Sequence, residues 1–257
     1  MALDYILLDK KDGIATITFH RPEALNALNS QVLADLDAAV DEVSADPKVR
    51  VVVFTGEGKS FISGADINEM DGYIGIDIIN YSRRGAAVFR KVELMTKPTI
   101  AAVNGYAFGG GFEFLLCTDI RIANEKAKLR LPEVTLGIVP GFNGTQRLPK
   151  CVGMNKAKEI IFTGKMLTAA DGLELGILNK VVPVDKLMEE TYAMASQIAD
   201  NSASAIALTK AAMAAGENMD IDIGKNIELG YMAAGFGTPD QIEGFASFKE
   251  RRPAKFR

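Results

Sequence analysis

Hydrophobic and polar positions change period several times along the first two thirds of the chain. Residues 5–8 are mostly apolar, Lys10-Lys11-Asp12-Gly13 has turn chemistry, and Ile14-Ala15-Thr16-Ile17-Thr18-Phe19 alternates with a period of two. That pattern predicts a β-hairpin, ended by Arg21-Pro22. Between residues 30 and 43 the spacing changes. Val32, Leu33, Leu36, Ala39, Val40 and Val43 fall on one face of a helix, with Asn29 or Ser30 as N-cap. Residues 49–54 and 99–103 are continuous apolar runs, as expected of strands buried on both faces. The long stretch between them, residues 67–96, predicts a helix from about Ile76 onward. Gly72 and Gly75 mark its front part as a mobile lid.

The glycine-dense segment Gly105 to Gly111 leads into Phe112-Glu113-Phe114-Leu115-Leu116, the expected start of a buried helix. Residues 119–123 and 127–131 read as short strands, Pro140-Gly141-Phe142-Asn143-Gly144 as a loop and residues 154–162 as a helix. Thr168-Ala169-Ala170-Asp171 opens a short helix that stops at Gly176, and residues 177–182 form a further strand. From Asp185 the pattern is helical to the end, and Thr238-Pro239-Asp240-Gln241 is a helix start with Thr as N-cap and Pro at the first helical position. Strands and helices alternate, then helices dominate. This predicts an α/β core over residues 1–184 and a helical C-terminal region over 185–257. No exact repeat or low-complexity linker interrupts the chain.

Composition narrows the function classes. The 257 residues are 48% hydrophobic and 24% charged, the balance of a folded enzyme rather than of a disordered chain. The net charge of -4 argues against nucleic acid as the main partner. No apolar run is long enough to span a bilayer, and residues 1–10 lack a signal-peptide pattern. Two cysteines, Cys117 and Cys151, fit buried thiols of a reducing compartment, here the cytoplasm, better than a disulfide framework or a zinc site.

Several motifs compete for the chemistry. Thr55-Gly56-Glu57-Gly58-Lys59-Ser60 follows a strand but has Val53 where a phosphate-binding loop needs glycine, so nucleotide binding is excluded and a solvated turn expected. His20 is the only histidine and has no serine or cysteine partner signature, which removes hydrolytic triads and most transition-metal sites. Ser63-Gly64-Ala65-Asp66-Ile67 is a small-residue turn whose backbone N–H groups can face a ligand. It equally suits an ordinary tight turn. Gly109-Gly110-Gly111 before a helix offers open N–H donors to an oxygen that gains charge, or else close helix–sheet packing. Glu113 lies in an apolar stretch where a carboxylate needs a partner or a task. Glu133, after Pro132, also fits plain helix-start chemistry.

These pieces occur together in a recognisable order. His20-Arg21-Pro22-Glu23-Ala24-Leu25-Asn26-Ala27-Leu28, Ser63-Gly64-Ala65-Asp66-Ile67-Asn68-Glu69-Met70, the run from Lys97-Pro98 through Asn104-Gly105-Tyr106-Ala107-Phe108-Gly109-Gly110-Gly111-Phe112-Glu113, Pro132-Glu133, Leu136-Gly137-Ile138-Val139-Pro140-Gly141 and Gly144-Thr145-Gln146-Arg147-Leu148 together resemble the crotonase (enoyl-CoA hydratase/isomerase) superfamily over nearly the whole chain. The resemblance implies a spiral of ββα units with a helical C-terminal region that forms trimers or hexamers. It implies an acyl-CoA ligand and no separate cofactor or metal.

The same resemblance implies roles for single residues. Ser63 and Gly110 would donate N–H groups to the thioester oxygen, and Glu113 and Glu133 would be the catalytic pair. Ala65, Asp66 and Ile67 would lie near adenine, and Ala24-Leu25 along the pantetheine path, with Gly109 and Gly141 as further substrate contacts. Two carboxyl groups favour hydration of a 2-enoyl thioester and its reverse, because one water must lose a proton while C2 gains one. The alternatives are an isomerase, a cyclic dienoyl-CoA hydratase, an acyl-CoA hydrolase or a non-catalytic binding protein on the same fold. Three departures from the family pattern, Arg130-Leu131, Asn143 and the bulky pair Phe112 and Phe114, point to a narrowed or aromatic-lined pocket for a short or cyclic acyl group.

Overall fold

A computed structural model describes residues 3–256. The hairpin forms as expected: β1 (Ile6–Lys11) pairs antiparallel with β2 (Ile14–Phe19), with Ile6 opposite Phe19. Its turn places Asp12 at φ 50° and Gly13 at φ 79°, the left-handed conformations that short hairpin turns require. Helix α1 (Ser30–Ala45) is capped by the Asn29 side chain, which accepts from Val32 N at 2.8 Å, and it buries the anticipated apolar face. That face also carries Asp35, whose Oδ2 accepts from the N–H groups of Asp4 and Tyr5 at 2.9 and 2.8 Å and so pins the start of the chain to the helix.

From here successive strands go to two different sheets. Strand β3 (Val51–Gly56) is followed by β4 (Ser60–Ile62), β5 (Thr99–Val103) by β6 (Tyr106–Phe108), and β7 (Ile120–Asn124) by β8 (Lys128–Arg130). The first member of each pair joins β1 and β2, and the second builds a shorter sheet. With β9 (Leu167–Thr168) and β10 (Lys180–Val182) the orders are β1-β2-β3-β5-β7-β10 and β4-β6-β8-β9. Beyond the first hairpin the long sheet is parallel, and β4, β6 and β8 are parallel to one another. Helices α2 (Ile67–Met70) and α3 (Ile76–Leu94) follow β4, and α4 (Gly110–Leu115) follows β6. This is the expected spiral of ββα turns.

Both faces of the long sheet are covered, which accounts for the unbroken apolar runs. Val52, Phe54, Ala101 and Val103 face the main core with α1 and α3. Val51, Val53, Ile100 and Ala102 face a second cluster with Leu187 and Ala195 of α8 (Leu187–Ala199). Two helices were not anticipated, α2 in the expected lid and one after the 140–144 loop. Residues 144–152 form α5 (Gly144–Val152) despite Pro149 inside it, followed at once by α6 (Met154–Thr163). Thr168 and Asp171 cap α7 (Ala169–Glu174) reciprocally. The chain closes with α9 (Ala203–Gly216), α10 (Ile221–Gly235) and α11 (Pro239–Glu250), the last capped by Thr238 as expected. These three helices leave large apolar side chains exposed, among them Met213, Ile221, Leu229, Met232, Phe245 and Phe248. No helix among the described residues is long and apolar enough to cross a membrane. Cys117 is buried and Cys151 is only half-buried; both are free thiols.

Candidate active site

The short sheet explains why distant motifs meet. Its three parallel strands end side by side, and each carboxyl end carries one motif: residues 63–66 follow β4, Gly109-Gly110-Gly111 follow β6, and Pro132-Glu133 follow β8. Ligands of parallel sheets bind beyond such ends. A cavity of about 650 Å³ opens there. Ser63, Ala65, Ile67, Gly109, Gly110, Glu113, Glu133 and Gly141 all line it. The structure thus brings together eight of the eleven expected site residues.

The glycine triplet serves three separate steric needs. Gly109 sits at φ 48°, ψ -123°, a conformation closed to residues with a side chain, and its N–H donates to Arg130 O at 2.9 Å. A Cβ at Gly110 would lie 3.0 Å from the Phe142 ring. At Gly111 it would lie 2.0 Å from Ile62 O, so this glycine is fixed by the approach of α4 to β4. The close-packing reading of the triplet therefore holds for Gly111. Gly110 opens α4, and its N–H is among the unpaired donors of a helix start.

The second donor is not the one expected. Ser63 N–H already donates to Leu25 O at 3.1 Å, and Ser63 Oγ to Ala24 O at 3.4 Å. Two residues on, Leu28 bridges Ala65 in parallel register: Leu28 N donates to Gly64 O and Asp66 N to Leu28 O, both at 2.8 Å. In a parallel bridge the middle residue turns its own N–H to the opposite side. No acceptor among the described residues takes the Ala65 N–H. The open donor of this segment is therefore Ala65, not Ser63.

Glu113 and Glu133 have contrasting surroundings. Glu113, in the first turn of α4, is buried, and its Oε1 accepts from Phe142 N at 2.8 Å and Gly144 N at 2.7 Å. Burial pushes its pKa up to about 7; the Gly144 N–H pulls against that, nearby Glu133 adds to it, and Phe142 N–H and Arg147 oppose it. Glu133 begins a 3-10 turn, Glu133–Leu136, and is also buried. Its Oε2 has no hydrogen-bond partner, and burial raises its pKa too.

The remaining expected residues lie off the cavity. Ala24 and Leu25 reach the site only through their carbonyl bonds to Ser63, and Leu25 is left-handed at φ 52°. The Asp66 carboxylate pairs with Arg21 at 2.6 Å and caps α2. Phe112 and Phe114 do not line the cavity, contrary to expectation. Phe114 stacks edge-on against Phe19, Phe54 and Phe89 inside the core. The helical rotation between neighbouring residues turns Glu113, still buried, to the cavity side between them. Arg130 donates to Gly164 O at 2.6 Å, and Leu131 is core. The aromatic wall is instead Phe142 with Tyr81, whose ring centroids are 5.5 Å apart. Neither was singled out in the sequence. Tyr81 falls on the apolar face of α3, and Phe142 is the one aromatic residue of the loop between Leu136 and Gly144. No cluster of three or more His, Cys, Asp or Glu suited to a metal ion occurs among the described residues.

The two-sheet spiral with its two buried carboxyl groups at the strand ends defines a class, and comparison with known proteins agrees. The family model described as enoyl-CoA hydratase/isomerase matches residues 9–257, so the chain belongs to that family, the crotonase family. It is 42% identical over 257 residues to a crotonyl-CoA hydratase of Syntrophomonas wolfei, covering 100% of this chain and 99% of that protein. It is 43% identical over 253 residues to a short-chain-enoyl-CoA hydratase of Clostridium acetobutylicum, covering 98% and 97%. The crystal structure of an enoyl-CoA hydratase from Bacillus anthracis superposes with a TM-score of 0.95 at 36% identity, covering 98% of this chain and 99% of that one.

Proposed function

We propose that this chain hydrates short-chain 2-enoyl-CoA thioesters to 3-hydroxyacyl-CoA, and runs the reverse dehydration, with Glu113 and Glu133 as acid/base pair and the N–H groups of Ala65 and Gly110 as oxyanion hole. The observation that carries this reading is the convergence of two buried carboxyl groups and two open backbone donors on one cavity. Water adds at C3 and passes a proton to Glu113. The electrons of the C2–C3 double bond move to the thioester oxygen, where preorganised N–H donors are each worth about 3 kcal/mol. C2 then takes a proton from Glu133. The division of labour follows the surroundings: two N–H donors suit Glu113 to the ionised form, while Glu133, buried and with Oε2 unpartnered, is more stable neutral.

The closeness of the two short-chain relatives and the Phe142–Tyr81 wall support a short acyl group. Coenzyme A enters as part of the substrate, and the reaction needs no further cofactor or metal. The exposed apolar side chains of α9, α10 and α11 support a homotrimer or a pair of trimers, and the bacterial relatives support a cytoplasmic setting. Incubation with crotonyl-CoA tests the activity. Loss of the enoyl absorbance with formation of 3-hydroxybutyryl-CoA is expected; a migrated double bond or free coenzyme A overturns it.

A further inference from the structure

Outside the cavity lining, next to the loop that grips Glu113, lies an ion pair that nothing in the chemistry above employs. Arg147 of α5 faces Glu93 near the end of α3. Nε meets Oε1 and Nη2 meets Oε2, each at 3.0 Å, the fork geometry of a bidentate pair. The third nitrogen, Nη1, donates to Phe142 O at 2.9 Å. The Arg147 side chain is only 10% exposed. The carbonyl it holds stands between the two N–H groups that grip Glu113, those of Phe142 and Gly144.

We propose that Arg147, clamped by Glu93, is a positioning residue that sets the Phe142–Gly144 backbone around the Glu113 carboxyl. This rests on the catalytic reading of Glu113. The loop has little else to fix it. Ser82 Oγ donates to Gly141 O one peptide upstream, and the Phe142 ring fills the space over Gly85, where a Cβ would fall 2.4 Å from it. Asn143, in the loop itself, is left-handed at φ 73° and makes no side-chain cap. The guanidinium is thus the only cationic group hydrogen-bonded to the loop's backbone among the described residues, and it joins α3, α5 and the loop at one point.

Electrostatics adds to the geometry. The charged or titratable groups that act on Arg147 are Glu93, the Cys117 thiol and Glu113; those that act on Glu113 are Glu133 and Arg147. Burial pushes Glu93 upward, but Arg147 and then Arg90 outweigh it and hold its carboxyl below the usual range, so the clamp stays charged. Losing Arg147 removes the cation that favours ionised Glu113 and loosens both donors. Lysine keeps the charge and cannot reproduce the fork.

The test compares the wild type with Arg147→Lys, Arg147→Met and Glu93→Gln. On crotonyl-CoA, Arg147→Met is expected to lower kcat about tenfold or more while KM changes less than about threefold, the signature of a lost transition-state interaction. The acid limb of kcat moves to higher pH. Arg147→Lys recovers part of both effects, and Glu93→Gln changes both in the same direction by less. A loss confined to KM or to thermal stability, with the wild-type acid limb kept, overturns the proposal. A carbon-13 NMR titration of the Glu113 carboxyl in wild type and variants reads the same relationship without turnover. An unchanged Glu113 midpoint overturns the positioning role even if crotonyl-CoA is not a substrate, and Glu93→Gln carries both measurements if the arginine variants do not fold.

Discussion

Gly109 and Glu133 are in steric register: a Cβ on residue 109 would stand 3.0 Å from Glu133 Oε1. The first glycine of the triplet therefore does more than turn the chain; it leaves room for a carboxyl group delivered by the neighbouring strand end. Gly109→Ala adds backbone strain of about 1–3 kcal/mol and displaces that carboxyl. The expected result is a folded enzyme, by circular dichroism, with kcat at least about tenfold lower. Gly111→Ala behaves differently. Its Cβ would collide with Ile62 O at 2.0 Å, a backbone atom that cannot easily give way, so reduced folding yield and a lower melting temperature are expected before any specific kinetic defect.

Replacing either carboxyl group separates chemistry from binding. Glu113→Gln and Glu133→Gln are each expected to lower kcat by about 100- to 10,000-fold with KM little changed. Steady-state hydration of crotonyl-CoA measures this. Wild-type turnover by both variants would remove them from the mechanism.

The raised pKa of Glu113 also makes a prediction about stability. Its folded-state value of about 7 exceeds the ordinary 4.5, so the folded protein holds this proton more tightly than the unfolded chain does. The resulting stabilisation is complete below pH 4.5 and is lost as pH rises through 7. Glu113→Gln is free of that loss. Urea unfolding at pH 5 and pH 8 is expected to show the variant gaining on the wild type at the higher pH, by up to about 3 kcal/mol. A pH-independent difference would contradict the burial effect.

Phe142 lines the cavity, and its size is proposed to bound the acyl group. Its ring contacts Tyr81 and Phe89 at centroid distances of 5.5 and 5.2 Å and faces Gly110. Phe142→Leu is expected to raise kcat/KM for hexenoyl- or octenoyl-CoA relative to crotonyl-CoA, at a stability cost of about 1–3 kcal/mol. An unchanged preference would place the chain-length limit elsewhere, in the walls supplied by α2 and α3.

What the sequence conveyed, and what it did not, follows from the range of the interactions. The period of two in residues 14–19 and the helical spacing after Asn29 are local signals, and β2 and α1 follow them closely. The glycines and the two glutamates were legible because each residue type is costly where it stands. Helix α5 was not, since Pro149 argues locally against a helix and the compensating contacts, Arg147 with Glu93 and Phe142, come from distant segments. The donor at Ala65 was also hidden. Ser63 and Ala65 are equivalent as letters, and only the bonds to Leu25 and Leu28 decide which N–H is engaged. Phe112 and Phe114 misled because flanking a cavity-lining residue on a helix means facing away from the cavity.

The parallel bridge between Leu28 and Ala65 has a wider consequence. With Gly110 it puts the donors proposed to polarise the carbonyl wholly in main chain, where no change of side chain can retune their polarity. Side-chain substitution can only add or remove the proton-carrying groups and reshape the walls. A chain built this way keeps one electrophile-activating device fixed while its reaction outcome and its choice of acyl group remain separately adjustable.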